Sequence, residues 1–323
     1  MKDFAGRIAV ITGGGTGMGR ELARQLAAEG CNIAMCDVSG GAMAETRRLC
    51  EAAGLSQGQR LTSHIADVSK EADVARFRDE VERDHESDRI HLLFNNAGIG
   101  GGGSFIVNGR DEWERTFDIC WGGVYRCTRA FLPMMRRADA GHIVNTSSVN
   151  GFWAFIAPDI PQTAYAAAKF AVKGFTEALI TDLRLNAPHI KCSVVMPGHI
   201  GTSIASNSLK VQTGNQGDEI TPREIELARK RIAARNPQAD KIPDEEIRKM
   251  ILERARRFLE EAPTSAAEAA TIILDGVRNE RWRILVGREA ELIGGLVRAT
   301  PEQAYEKDFF TAFAAQAGWT VGR

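Results

Sequence analysis

The stretch TGGGTGMG, residues 12–19, follows the apolar run IAVIT (8–12) and opens GRELARQLAAEG (19–30), which is apolar at helical spacing and closes on Gly30. A strand that turns through glycines into a helix suits a phosphate. The glycines let backbone N–H groups approach a pyrophosphate, and the helix N-terminus favours its negative charge. A lone glycine pattern decides little, but its surroundings decide more. A second strand, NIAMCD (32–37), ends on Asp37. A carboxylate there would accept hydrogen bonds from both hydroxyls of an adenosine ribose. It would also repel a 2′-phosphate, and neither GGGT nor the neighbours Cys36 and Val38 supply a cation, so the pattern favours NAD over NADP. The competing reading is a surface loop beside a helix-start aspartate. Gly13, Gly15, Thr16, Gly17, Met18, Gly19 and Asp37 are therefore the first candidate cofactor residues.

The same rhythm continues. Further strands are predicted at 61–68, 91–98, 142–148, 191–198 and 282–287, with helices near 41–53, 70–84, 111–136 and 163–184. Alternating strands and helices pair in parallel through right-handed crossovers. Strands with little polar alternation are covered on both faces. The expected architecture is an α/β Rossmann fold, a doubly wound seven-stranded parallel sheet with ligands at the carboxyl ends of its strands.

Residues 204–262 break the rhythm. Thr221 and Glu224 form a capping box around Pro222, which predicts a helix to about Arg235. A second charged helix is expected over 243–261, and Ser265 with Glu268 caps a third. Their charged faces read more simply as solvated surface than as a docking face. The end of the chain carries Phe309, Phe310, Phe313 and Trp319, a pattern that packs on its own subunit or on a neighbour. Residues 1–323 read as a single domain, with a helical insertion at 204–262 and a C-terminal tail at 288–323.

Composition sets the outer bounds. The chain has 323 residues, 44% of them hydrophobic and 26% charged, with net charge −1. There is no global basic field for nucleic acid. No apolar run is long enough to span a membrane, and no signal peptide precedes the first strand. The six cysteines form no CxxC pair, so they read as reduced, buried thiols of a cytoplasmic protein rather than as zinc ligands or disulfides.

The chemistry lies further along. Tyr165 and Lys169 are spaced i, i+4 and share a helix face. Ser148 closes the predicted fifth strand, on the ligand edge of the sheet. TGGGTGMG, NNAG (95–98), SSVNG (147–151), YAAAK (165–169) and PGHIGT (197–202) occur in this order. Together they resemble the short-chain dehydrogenase/reductase family, over residues 1–203 and again around 263–287.

The resemblance implies hydride transfer between a nicotinamide cofactor and an alcohol or carbonyl. It implies that Asp67 and Val68 flank the adenine, that Asn95, Ala97 and Gly98 shape the cofactor loop, and that Pro197, Gly198, Ile200 and Thr202 meet the nicotinamide end. It also makes Tyr165 the general acid/base. A free tyrosine, with a pKa near roughly 10, is a poor base at neutral pH, but the Lys169 ammonium favours the phenolate. Lys169 would also hold the nicotinamide ribose, and Ser148 would hydrogen-bond the substrate oxygen. The implied assembly is a homodimer or homotetramer.

One position departs from the family. The helix before the serine strand normally carries an asparagine between a tryptophan and a glycine. Trp113 and Gly123 match, but the asparagine position holds Cys120, in FDICWGGVYRC (117–127). In the family that residue helps hold a water linking the lysine to solvent, at a helix kink. Gly122 and Gly123 each cost a straight helix about 1 kcal/mol and are tolerable where it bends. They would also admit close packing against the lysine helix. Three readings stay open: the backbone carbonyl alone keeps the relay, the relay is broken and the protein is an NAD-binding sensor or interaction protein, or Cys120 is itself a reactive thiol. Phe152, Trp153, Phe155 and Ile156 follow Ser148 in a segment longer than the family's usual spacing. Some of the four should be core and one or two should line an apolar pocket, which suggests a bulky hydrophobic secondary alcohol or its ketone as substrate.

Overall fold

The computed structural model describes residues 1–158, 160–233, 236, 238–319 and 321. Seven parallel strands form one sheet: β1 (Ile8–Thr12), β2 (Asn32–Asp37), β3 (Leu61–Ile65), β4 (Leu92–Asn95), β5 (Gly141–Thr146), β6 (Ile190–Pro197) and, last in the chain, Arg283–Val286. Two short strands, β7 (Ile200–Gly201) and β8 (Thr264–Ser265), pair separately, which makes the last strand of the main sheet β9. The sheet order is β3-β2-β1-β4-β5-β6-β9. The chain therefore winds outward from β1 on one side, then returns to begin again at β4. The gap between β1 and β4 is the switch point where such sheets bind ligands.

Strand alternation builds two cores. Ala9 and Ile11 face helices α1 (Gly17–Ala28), α2 (Gly40–Ala52) and α10 (Ala266–Arg278). Ile8 and Val10 face α3 (Glu71–His85), α5 (Gly123–Arg136) and α6 (Thr163–Asn186). All six cysteines are buried and unpaired. No helix among the described residues is long and apolar enough to cross a membrane.

The predicted third and fourth strands end early, at Ile65 and Asn95. Asp67, Val68, Ala97 and Gly98 thus leave the sheet and become loop. The single helix expected over 111–136 is α4 (Arg110–Phe117), a π-helical turn (Asp118–Gly122) and α5. In the insertion, α8 (Pro222–Ala233) carries the expected capping box, with Thr221 N–H donating to Glu224 at 2.7 Å. Its predicted end near Arg235 lies outside the described residues. α9 runs Asp244–Glu260, and Ser265 and Glu268 cap α10 reciprocally. Helices not expected are α7 (Ile204–Thr213), which stops on Gly214 in the left-handed region at φ 75°, and two in the tail.

The tail folds back on its own chain. α11 (Arg288–Ala299) and α12 (Lys307–Ala317) build a third apolar cluster with the segment after Ser148. Trp153 is its centre. It is 1% exposed, is ringed by Phe155, Phe309, Phe310 and Phe313, and donates its indole N–H to Ala304 O at 2.7 Å. Trp319 donates to Ile156 O at 3.0 Å. Trp153 is thus one of the residues after Ser148 that belong to the core, because the tail encloses it. Trp153→Ala should cost about 3–5 kcal/mol in urea unfolding, the range for a large buried aromatic. A loss below about 1 kcal/mol would mean the tail does not pack there.

Candidate active site

The cleft at the switch point starts with the turn between β1 and α1. Gly13 and Gly17 have φ of +68° and +54°, which side-chain-bearing residues rarely adopt. A Cβ on Gly19 would sit 2.0 Å from Gly13 O, so this glycine lets the helix start cross the turn. Gly13, Thr16, Gly17 and Met18 line the cleft. Gly15 is instead bound to the acid of β2: its N–H donates to Asp37 Oδ2 at 3.0 Å, and Ser39 N–H donates to Oδ1 at 3.1 Å. Burial pushes the Asp37 carboxyl upward, and these N–H groups and Arg20 offset part of the rise. Arg20 itself is engaged, donating to Gly15 O and Thr46.

The facing wall comes from the loops after β3 and β4. Asp67, Val68, Ala97 and Gly98 line it. Asn95 does not reach the cleft. Its amide turns into the sheet, donating to Thr128 at 2.9 Å and Asn145 at 2.7 Å, and the next residue, Asn96, lines the cleft. Arg115 was missed by the sequence reading. It lines the cleft and donates to Asp67 Oδ2 at 2.8 Å and Ser69 Oγ at 2.6 Å. Burial alone would raise the Asp67 carboxyl, but bonds from Ser69 and Arg115 outweigh it and hold the group below its usual value.

Cover comes from Thr202 and α7, whose Ile204, Asn207 and Val211 share one helix face over the cleft. Asn207 donates to Thr16 at 3.0 Å, and Ser208 accepts from Gly100 N–H at 2.8 Å. Other residues of the expected nicotinamide segment sit behind this surface. Pro197 ends β6, Ile200 belongs to the core with α10, and Gly198 packs against Glu289.

Ser148, Tyr165, Lys169 and Cys120 converge beyond Gly98. Lys169, 3% exposed, donates to Thr146 O at 2.8 Å, and its ammonium lies 5.4 Å from the Tyr165 ring centroid. Ser147 fixes the same helix turn by donating to Lys169 O at 2.7 Å. Ser148 caps a short helical turn and accepts from Asn150 N–H at 3.2 Å. Burial pushes the Tyr165 hydroxyl up, the Cys120 thiol adds to the rise, and a hydrogen bond with Ser148 opposes it. Burial lowers Lys169.

The π turn explains the awkward sequence around Cys120. The N–H of Gly123 reaches back to Asp118 O, one residue further than in an α-helix, which is the kink the glycines suggested. The packing reason differs from the expected one. A Cβ on Gly123 would lie 2.7 Å from Val68 Cγ2, so this glycine admits the cleft wall rather than the lysine helix. Gly122 faces only the Arg126 guanidinium, which can move aside. Cys120 Sγ donates to Ile99 O at 3.2 Å and accepts from Ile99 N–H at 3.5 Å. The thiol clasps the loop that carries Gly98.

Comparison with known proteins agrees with this geometry. A sequence model described as short chain dehydrogenase matches residues 7–212. SadH of Mycobacterium tuberculosis is 33% identical over 299 residues, 92% of each chain. Epidermal retinol dehydrogenase 2 of Mus musculus is 35% identical over 210 residues, 63% of each chain. A short-chain dehydrogenase/reductase from Burkholderia phymatum, solved in complex with NAD, superposes with TM-score 0.73 at 29% identity, covering 94% of this chain and 95% of that one. Matched by that model over residues 7–212 and by a relative 33% identical over 92% of its length, the chain belongs to the short-chain dehydrogenase family of oxidoreductases.

Proposed function

We propose that the protein interconverts a hydrophobic secondary alcohol and its ketone with NAD. The convergence of Ser148, Tyr165 and Lys169 beside Gly98, which lines the same cleft as Asp37, carries this reading. The cleft suits a dinucleotide. Glycines occupy the positions where a Cβ at 13, 15 or 17 would crowd the turn, and the α1 N-terminus faces the same space. Gly13, Thr16, Gly17 and Met18 would hold the pyrophosphate side, Asp37 the ribose, Asp67 and Val68 the adenine, and Thr202 the nicotinamide side. When bound, NAD supplies a hydride acceptor and a positive ring.

The residues divide the remaining work. Ser148 hydrogen-bonds the substrate oxygen. Tyr165 takes the hydroxyl proton in oxidation and returns one in reduction. Lys169 holds positive charge beside the tyrosine and lowers the cost of the phenolate. Phe152, Phe155 and Ile156, half-buried after Ser148, favour an apolar substrate, as does the likeness to a retinol dehydrogenase. Family likeness and the exposed Tyr125 and Phe170 support a homo-oligomer built through α5 and α6. The second reading, an NAD-binding sensor or interaction protein, draws on Cys120 and on the long charged helices of the insertion. The thiol's two bonds to Ile99 argue against a broken site.

Tyr165→Phe should lower kcat by at least about a hundredfold while NAD affinity stays unchanged. Equal turnover by this variant would remove Tyr165 from the chemistry. The base form grows as pH rises, so alcohol oxidation should accelerate into the alkaline range and ketone reduction should slow. The kcat profile should break at lower pH than kcat/KM, because the bound cofactor's charge favours the phenolate. Coincident breaks would deny that coupling.

Cys120→Ala should lose both bonds to Ile99 and reduce kcat/KM about tenfold, while Cys120→Asn should match or exceed the parent. Turnover by Cys120→Asn alone would favour the sensor reading. Asp37→Ser should bring the ratio of NADP to NAD affinity up by about tenfold or more. An unchanged ratio would place cofactor choice elsewhere.

A further inference from the structure

The carboxylate of Glu289 lies under the turn between β6 and β7, the segment assigned above to the nicotinamide end. Glu289 stands in the first turn of α11, far in sequence from that turn, and is 2% exposed. Its Oε1 accepts the His199 N–H at 2.8 Å. The carboxylate also accepts its own backbone N–H. Burial pushes the group upward, and these two N–H groups offset part of the rise.

Two glycines make the seat. A Cβ on Gly198 would lie 2.2 Å from Glu289 Oε1, and one on Gly287 would lie 2.5 Å from the same atom. Gly287 also needs its φ of +97° to turn β9 into α11. Any side chain at either position would displace the carboxylate. Gly198 N–H meanwhile donates to Val286 O at 2.9 Å, so the turn is held to β9 on one side and to α11 on the other. A buried polar group that satisfies a neighbouring backbone N–H is costly to delete, because that N–H is then left without a partner.

The next residues of α11 face the other half of the site. Ala290 and Ile293 pack in the cluster with Val149 and Trp153, directly after Ser148. One helix start therefore touches both the turn leading to Thr202 and the segment leading from Ser148. We propose that Glu289 is a positioning residue. It fixes the Pro197–Thr202 turn, and with it the nicotinamide end of the cofactor, against the loop that carries Ser148. This rests on the dinucleotide reading of the cleft.

ADP-ribose separates the two claims, since it carries the adenosine and pyrophosphate but no nicotinamide. Calorimetric titrations of wild type, Glu289→Ala and Glu289→Gln with NAD and with ADP-ribose form the test. Wild type should bind both. Glu289→Ala should weaken NAD by about tenfold or more and leave ADP-ribose nearly unchanged. Glu289→Gln, which keeps a carbonyl acceptor for His199 N–H, should restore NAD affinity. Should Glu289→Ala fail to fold, Glu289→Asp, one methylene too short to reach the turn, carries the same expectation. Equal weakening of both ligands, or weakening of neither, overturns the proposal. Wild type that binds neither ligand overturns the cofactor reading itself, and the proposal with it.

Discussion

A lysine ammonium buried to 3% exposure is the constraint around which this site is built. An unpaired buried charge is costly, and Lys169 has no carboxylate in ion-pair contact among the described interactions. Its ammonium donates to Thr146 O, at the end of β5. Burial accordingly lowers its proton affinity. The surrounding structure reduces the cost and puts the charge to use. Ser147 fixes the backbone at Lys169 by donating to its carbonyl. The same burial pushes the Tyr165 hydroxyl upward. In the proposed reaction, a further positive charge entering the cleft would favour the phenolate, which would tie proton transfer to cofactor binding.

Cys120 bears on that arrangement through the backbone. The thiol grips Ile99 from both sides, and Ile99 follows Gly98, whose closeness to Lys169 depends on the loop's course. A sulfur bond is weaker than an amide bond. Two of them in a buried place still define a position, because an alternative course of the loop would leave Ile99 N–H and C=O without partners. The π turn sets the sulfur at the right height, and Gly123 lets that turn approach Val68 on the cleft wall.

The sheet, the glycine turn and the tyrosine–lysine pair were legible because each rests on local spacing. A strand needs a short apolar run, a pyrophosphate turn needs glycines in a fixed order, and an i, i+4 pair needs only a helix. What escaped depends on partners distant in sequence. Nothing near Arg115 marks it as a cleft residue until Asp67 and Ser69 come to meet it. Asn95 and Asn96 are the same residue type in adjacent places, and only the strand's end decides which one enters the sheet. α7 is weakly patterned, with Asn207 and Ser208 on surfaces that contact the glycine turn and Gly100 rather than a hydrophobic core. Its clearest signal was Gly214, a left-handed stop after ten helical residues. Which of the four residues after Ser148 is core was hidden for the same reason, since the burial of Trp153 belongs to a tail more than a hundred residues away.

The two C-terminal additions cover the site by different chemistry, and that difference governs how each behaves. The insertion is held to the cleft by polar bonds: Asn207 to Thr16, Ser208 to Gly100, and Arg231 of α8 to Glu112, whose other partners are Gly102 N–H and Asn108. Exchanging one hydrogen-bond partner for another, including water or a ligand, changes free energy little. The tail is held by Trp153, Phe313, Trp319 and Ile293, each 5% exposed or less. Withdrawing it would expose large aromatic surface, at roughly 25 cal/mol for every Å². A lid must open and close, while a wall beside the reacting oxygen must stay. Polar attachment would suit the first and apolar attachment the second, which sets the bonds of Asn207 and Ser208 apart from the aromatic cluster around Trp153.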